Sequence, residues 1–479
     1  MKKLFYLFFF STCVILNSCN NKDNLKLPDI SVSFSADELG IDEDEISADV
    51  TVSLSRAAES DIEVTIGVAT DKVVYGADFT ISPAVAGNNI KVSIPAGSTS
   101  ALIAVSKVEE VAFEGTEKVN LTIVSLSVTE GFVIGEQQEA VVTFGGIVSE
   151  GQNPLRLEGK GETENYASSV YVDLSSNKQI PIDRKSWNLG FYSGDDFRVV
   201  LNGAYETVAT ASNKMDITTV TLADAEAAIN LAATTQATTG NLPAEVIDGF
   251  EGTLAGTVFG EVSANDAENK VYFVVSASME QIVYGNPGYV RNPDRSQWYK
   301  VKVTRNGEGY KVQYAKVGDN NTAIKTVDIS KTPGYNFTFF SLETGKTVLV
   351  EPGSKKWDIV WTYNVGFTSM MGGRPYYMQD LILVNNLGGV EIAEVLTEPV
   401  SYENFNSTAL ASLPQTAFSN KRNAIADKWR STSTGVYADR YYIIKDPNGN
   451  YYKLQFLKIG VASDGGERGR PEIAYQLIK

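Results

Sequence analysis

The chain contains no histidine, and only two of its 479 residues are cysteine. Without imidazole there is no Ser-His-Asp triad, no His-ligated zinc or haem, and no histidine general base. No GxSxG, HExxH or GxxxxGK[ST] pattern offers another catalytic route. Paired carboxylates need no histidine, but nothing marks any acidic pair as reactive, so the chain reads as a binding protein and not an enzyme. Methionine is scarce, with six residues and none after Met378. Positive charge is also short: 41 basic against 58 acidic residues leave a net charge of −17. Such a surface repels nucleic acid and anionic lipid, which excludes both as partners.

Long apolar runs are missing apart from Leu4 to Leu16, which is too short to span a bilayer permanently. Lys2 and Lys3 precede it and Leu16-Asn17-Ser18-Cys19 follows. That succession resembles a bacterial lipoprotein signal. It implies removal of residues 1–18, acylation of Cys19 and a lipid anchor in the outer membrane. Cys13 leaves with the signal, so Cys19 is the single mature cysteine and no intrachain disulfide forms. Residues 19–26 read as a polar tether. Its Lys22 and Asp23 resemble the surface-export signal of Bacteroides-like bacteria, which implies an outward-facing protein.

Residues 27–147 alternate apolar and polar side chains in short runs such as DVTVSLS, DIEVTIGVA and KVNLTIVSL, separated by Gly, Ser and Asp turns. This spacing predicts a β-sandwich. The stretches YGADFTIS, VSIPAGSTSALIAV and VEEVAFEGTEKVNLTI, in that order, resemble a Calx-β domain of immunoglobulin-like architecture. The resemblance makes Glu43, Asp78, Glu109, Glu110 and Glu114 candidate calcium ligands, since Ca²⁺ takes six to eight oxygens. Glu109 and Glu110 stand where calcium-binding members carry Asp. Asp37 to Glu45, with six acids among nine residues, serves equally well as a solvated rim.

The remainder repeats itself. Tyr310–Gly318 (YKVQYAKVG) returns as Tyr452–Gly460 (YKLQFLKIG), each preceded by an Asn-Gly pair, Asn306-Gly307 and Asn448-Gly449, that reads as a hairpin turn. A second unit recurs too, with Leu174 answered by Leu342, Lys178 by Lys346 and Trp187 by Trp357. Two tandem mostly-β repeats are expected, at 148–332 and 333–479, each burying its tryptophan in its own core. Short helical insertions are expected at Leu222–Ala233, capped by Thr221, and at Asn420–Arg430, capped by Ser419.

The phrases LSSNKQIPIDRKSWNLGF, LETGKTVLVEPGSKKWDIVWTY and YYKLQFLKIGVASDGGERGRPEI resemble the HmuY family of lipoproteins from Bacteroides-like bacteria. The resemblance implies a haem- or porphyrin-binding, hemophore-like protein serving an outer-membrane haem transporter. The departure is the ligand set, because family members hold iron between His or Met pairs. The corresponding loop here, Phe367 to Gln379, offers Met370, Met371 and Met378 as thioethers, Tyr376 and Tyr377 for stacking, and Arg374 for a propionate. The GGERGRP stretch, Gly465–Pro471, reads either as an anion-contacting loop or as a turn serving the fold. An adhesin or glycan-binding lipoprotein on the same scaffold is the competing reading, and its 23 tyrosines suit either.

Overall fold

The computed structural model describes residues 29–479 apart from 43–44, 110, 229–243, 277–281, 286–287, 292–293, 369–373, 432 and 462–463. The architecture is nearly all β. The first unit packs two five-stranded sheets face to face. One runs Phe79–Ser82, Ser100–Lys107, Ser47–Leu54, Ile30–Phe34, Phe132–Ile134; the other runs Glu38–Gly40, Glu139–Thr143, Lys118–Leu126, Ile62–Asp71, Asn89–Ile94. Alternation in the sequence becomes alternation in burial. Along Ser47–Leu54 the residues Ala48, Val50, Val52 and Leu54 point inward, and they meet Ile62, Val64 and Ile66 from the opposite sheet.

The described part of this sandwich's acidic rim, though still partly solvated, also makes contacts of its own. Glu45 pairs with Lys178 at 2.5 Å, Asp42 pairs with Lys356, and Asn177 donates to Asp37 and to the Glu38 carbonyl. The rim is the surface on which the repeated region docks.

The repeats form two further sandwiches, and each borrows a hairpin from the other. In one, a sheet of Gly151–Arg156, Glu472–Leu477, Tyr451–Lys458, Arg440–Lys445 and Glu391–Leu396 faces a sheet ordered Lys178–Asp183, Ser168–Asp173, Ile359–Thr368, Arg374–Val384. The 168–183 hairpin of repeat 1 therefore completes the core of repeat 2, where Val170, Val172 and Leu174 pack with Ile359, Trp361, Tyr442 and Leu454. In the other, Val208–Ala211, Val271–Val275, Tyr299–Asn306, Gly309–Lys316 and Lys325–Ile329 face Val199–Leu201, Leu189–Tyr192, Phe337–Ser341 and Lys346–Val348. Here the 337–348 hairpin of repeat 2 returns the exchange, placing Phe340 and Leu342 among Leu189, Phe191, Tyr310 and Tyr314.

The exchange obeys a pseudo-twofold relation that can be followed atom by atom. The Leu342 amide donates to Asn188 Oδ1 at 2.7 Å, and the Leu174 amide donates to Asp358 Oδ2 at 2.8 Å. Asn202 Nδ2 donates to the Arg184 and Trp187 carbonyls, as Asn385 Nδ2 does to those of Ser354 and Trp357. Trp357 stacks edge-on against Tyr171 with centroids 5.0 Å apart, and Trp187 against Phe339 at 4.6 Å. The two tryptophans do not occupy separate cores. Both belong to one cluster at the seam, where Trp357 is buried and Trp187 only partly so.

Two local expectations also change. Gly307 and Gly449 carry the positive φ of their turns, at 58° and 90°, whereas the preceding asparagines do not. Leu222–Ala228 is helical, but Asn420–Arg430 is a succession of turns joined to the long hairpin by the Ile382–Ala426 bridge. The apolar spacing of Ile425 and Trp429 is satisfied all the same, since both are fully buried. A helix forms instead at Ser407–Ser412, capped by Asn406.

Candidate functional site

The long hairpin of Ile359–Thr368 and Arg374–Val384 carries the loop singled out in the sequence. Its register shifts between Thr362 and Asn364, and opposite this bulge Asp380 adopts a left-handed φ of 55°. Asp380 has no exposure. Its carboxylate meets Arg468 at 3.0 Å and the Tyr166 hydroxyl at 3.1 Å, while its carbonyl accepts from Trp429 Nε1. Desolvation raises its acid above the usual carboxylate range, opposed by Arg468 and Arg430. The bulge is thus pinned from the GGERGRP loop. Arg470 in the same loop pairs with Glu158 at 2.6 Å and Glu467 at 3.0 Å, so this stretch serves the fold.

Beyond the bulge the hairpin leaves its own sandwich. Val365 and Tyr377 pack among Trp298, Val271 and Phe273 of repeat 1, and Tyr377 lies parallel to Tyr363 with centroids 6.1 Å apart. Met378, the next residue, faces the other way, because strand side chains alternate. It is 3% exposed and packs with Leu381, Ala426 and Phe250. A Cβ on Gly366 would come within 2.3 Å of the Met378 sulfur, so the thioether rests against this glycine and would have to shift for a larger residue. Tyr377 and Met378 therefore belong to the packed base of the hairpin and cannot share one ligand face. Met370 and Met371 lie outside the described residues, as do the side chains of Arg374 and Tyr376.

The five calcium candidates are not all in view, since Glu43 and Glu110 lie outside the described residues. Asp78 accepts from the Val74 amide at 2.8 Å, and Glu109 and Glu114 are exposed. The acid that the sequence did not single out is Glu117, whose carboxylate accepts the Glu114 and Thr116 amides and is held below its ordinary range chiefly by the first. Among the described residues no three acidic, cysteine or histidine groups converge as a metal would require. Cys19 lies outside the described residues, and among those described no helix is long and apolar enough to cross a membrane.

Sequence reasoning also missed a constellation at the seam: Asp248 from repeat 1 with Glu351 and Arg422 from repeat 2 line adjoining cavities there. Arg422 sits in the stretch read as a helix, and three charged residues so far apart in sequence give no local pattern.

The model for the family described as HmuY protein matches residues 165–329 and 334–475, once for each repeat and together well over half of the chain. The chain belongs to the HmuY family. No match was found among curated proteins. Solved structures similar to this HmuY-family chain include the apo form of the Calx CBD1 domain, at 19% identity over 24% of this chain and 96% of that one, with a TM-score of 0.20. A two-domain protein with unknown function from Bacteroides fragilis follows at 11% identity, covering 41% of this chain and 74% of its own, with a TM-score of 0.18. A putative carbohydrate binding protein from Bacteroides ovatus is similar at 12% identity, covering 64% and 71%, again with a TM-score of 0.18. Overlaps this low carry no argument about a ligand.

Proposed function

We propose that this HmuY-family protein is a lipid-anchored, outward-facing lipoprotein of the outer membrane that binds haem or a related tetrapyrrole and passes it to an outer-membrane haem transporter. The observation that supports this most is the family match over both repeats. In this reading Cys19 carries the anchor and the N-terminal sandwich, Calx-β-like by resemblance, is a docked spacer. The end of the Ile359–Val384 hairpin presents the ligand face. Met370 and Met371 supply thioether sulfur, Tyr376 a stacking ring and Arg374 a propionate contact. Tyr377 and Met378 form the apolar base that holds that end in place. Bound haem would supply a soft, redox-active iron, and thioether ligation favours its ferrous state.

The test is a Soret titration of the mature chain with ferric haem, ferrous haem and iron-free protoporphyrin. A sharper band for the ferrous form, blunted in Met370→Ala or Met371→Ala, is the expected result. Equal binding of the iron-free ring, unaffected by those substitutions, would show that the ring alone is held. Binding of none of the three would transfer the assignment to the adhesin or glycan reading.

A further inference from the structure

Where the chain crosses from one sandwich to the other, the exchange leaves space. Two cavities of about 60 and 40 Å³ share Asp248, Gly249 and Arg422 as a common wall. Phe337, Trp357 and Leu254 complete the first, and Phe250, Val365 and Leu383 the second. At roughly 10–15 Å³ for each water-sized group, the first holds about four to six such groups. That accommodates a carboxylate with one or two carbons and excludes a macrocycle.

Two donors at this wall lack an acceptor among the described residues, while the neighbouring Asn336, Asn385 and Thr257 side chains are already partnered. Among the described residues the Arg422 side chain makes no hydrogen bond or ion pair, although both Asp248 and Glu351 feel its charge. Its stem passes over Gly252, where an added Cβ would meet Arg422 Cβ at 2.6 Å and Cδ at 2.9 Å. Trp357 is 6% exposed, and its Nε1–H has no partner. A buried donor left open in this way is unfavourable by about 1–3 kcal/mol unless something accepts from it. Glu351 is 5% exposed, and its carboxyl group accepts from the Phe337 amide at 3.1 Å, with Asn336 as a further donor to it. Asp248 by contrast is saturated by two amides, Leu201 at 2.6 Å and Val258 at 2.8 Å, one on each oxygen.

We propose that this seam cavity is a carboxylate-binding subsite, in which Arg422 pairs with the anion while Trp357 Nε1 and the Glu351 carboxyl donate hydrogen bonds to it. The anion is either a free short-chain acid or the carboxylate arm of a larger ligand lying over the seam, and the inference stands whether or not that ligand is a tetrapyrrole. Desolvation pushes the Glu351 acid up to about 8, against Arg422 and the Asn336 and Phe337 donors, so at neutral pH it carries the proton it must donate. Asp248, pushed up to about 6 by desolvation, is an anion at neutral pH and sets a limit on affinity. Among the described residues the phenol of Tyr171 also feels the Glu351 charge.

The experiment follows the five tryptophan indole N–H signals of the ¹⁵N-labelled mature chain during titration with sodium propionate, with Trp357→Phe to assign the signal. A saturable downfield shift of the Trp357 signal is expected at pH 6.5, weakening about tenfold for each pH unit above about 8 as Glu351 ionises. Arg422→Gln should abolish saturation. Glu351→Gln, whose amide still donates, should bind with no loss at high pH. If Arg422→Gln proves unfolded by its melting curve, Arg422→Lys and the Glu351→Gln pH profile decide. Protoporphyrin moving this signal where its dimethyl ester does not identifies the arm of a larger ligand; propionate alone moving it identifies a free acid. Propionamide binding as well as propionate, or no saturable shift with any of these probes, overturns the proposal.

Discussion

Replacing Glu351 by Gln should stabilise the protein by an amount that grows with pH. The residue lies in the segment that carries the chain between sandwiches, is 5% exposed, and has its acid pushed from an ordinary 4.5 up to about 8. Desolvation is the main cause, and the Arg422 charge only partly offsets it. Between those two pH values the folded state retains a proton that the unfolded chain has released, so stability falls as pH rises through this window. At about 1.4 kcal/mol per pH unit the interval amounts to roughly 5 kcal/mol, fully expressed above pH 8 and absent below pH 4.5. Gln keeps an oxygen for the Phe337 amide and cannot ionise. Urea unfolding of both proteins at fixed pH values from 4.5 to 9, followed by tryptophan fluorescence, should give curves that coincide at the acid end. They should separate by about 3 kcal/mol at pH 7 and level off above pH 8. Asp248 and Asp358 titrate in both proteins and drop out of the difference. Parallel curves across the whole range would refute the buried-acid argument.

A related test uses the broken symmetry of the seam. Asp358, 1% exposed, has its acid raised by desolvation and by Asp173, yet its repeat counterpart Asn188 makes the same bond to a leucine amide without charge. Asp358→Asn should therefore raise Tm at pH 7, by about 2–4 °C for each kcal/mol recovered, and lose its advantage near pH 4; a lowered Tm at pH 7 would contradict this. Trp357→Ala should destabilise by about 3–5 kcal/mol, and Trp187→Ala by less, because only Trp357 is fully enclosed. Since the seam cluster is shared, the loss should appear in both sandwiches by hydrogen exchange, and protection lost in one alone would show that they are not coupled. At the N-terminus, Cys19→Ala should move the protein out of the detergent phase in phase partitioning; retention there would exclude the lipid anchor.

Much of the architecture was legible because strands report themselves locally. Alternation in DVTVSLS or YKVQYAKVG requires one face to be buried whatever that face meets, and a glycine after asparagine marks a turn wherever it occurs. Duplication was legible for the same reason, since Leu174 and Leu342 or Trp187 and Trp357 are matched by identity and spacing alone. What the sequence could not decide was the partner. A hairpin's apolar face satisfies either repeat's core equally well, because the two cores are copies, and only the three-dimensional course of residues 183–189 and 348–359 sends each hairpin to the opposite sandwich. That choice placed both tryptophans in a single cluster and turned an acidic rim into a docking face for Lys178 and Lys356. It also brought Asp248, Glu351 and Arg422 to one wall, although they lie far apart in the chain. Met378 illustrates the same limit from the other side: its residue type suggested a ligand, while burial against Gly366 and Leu381 depends on which face of the strand it occupies, and tertiary packing alone determines that.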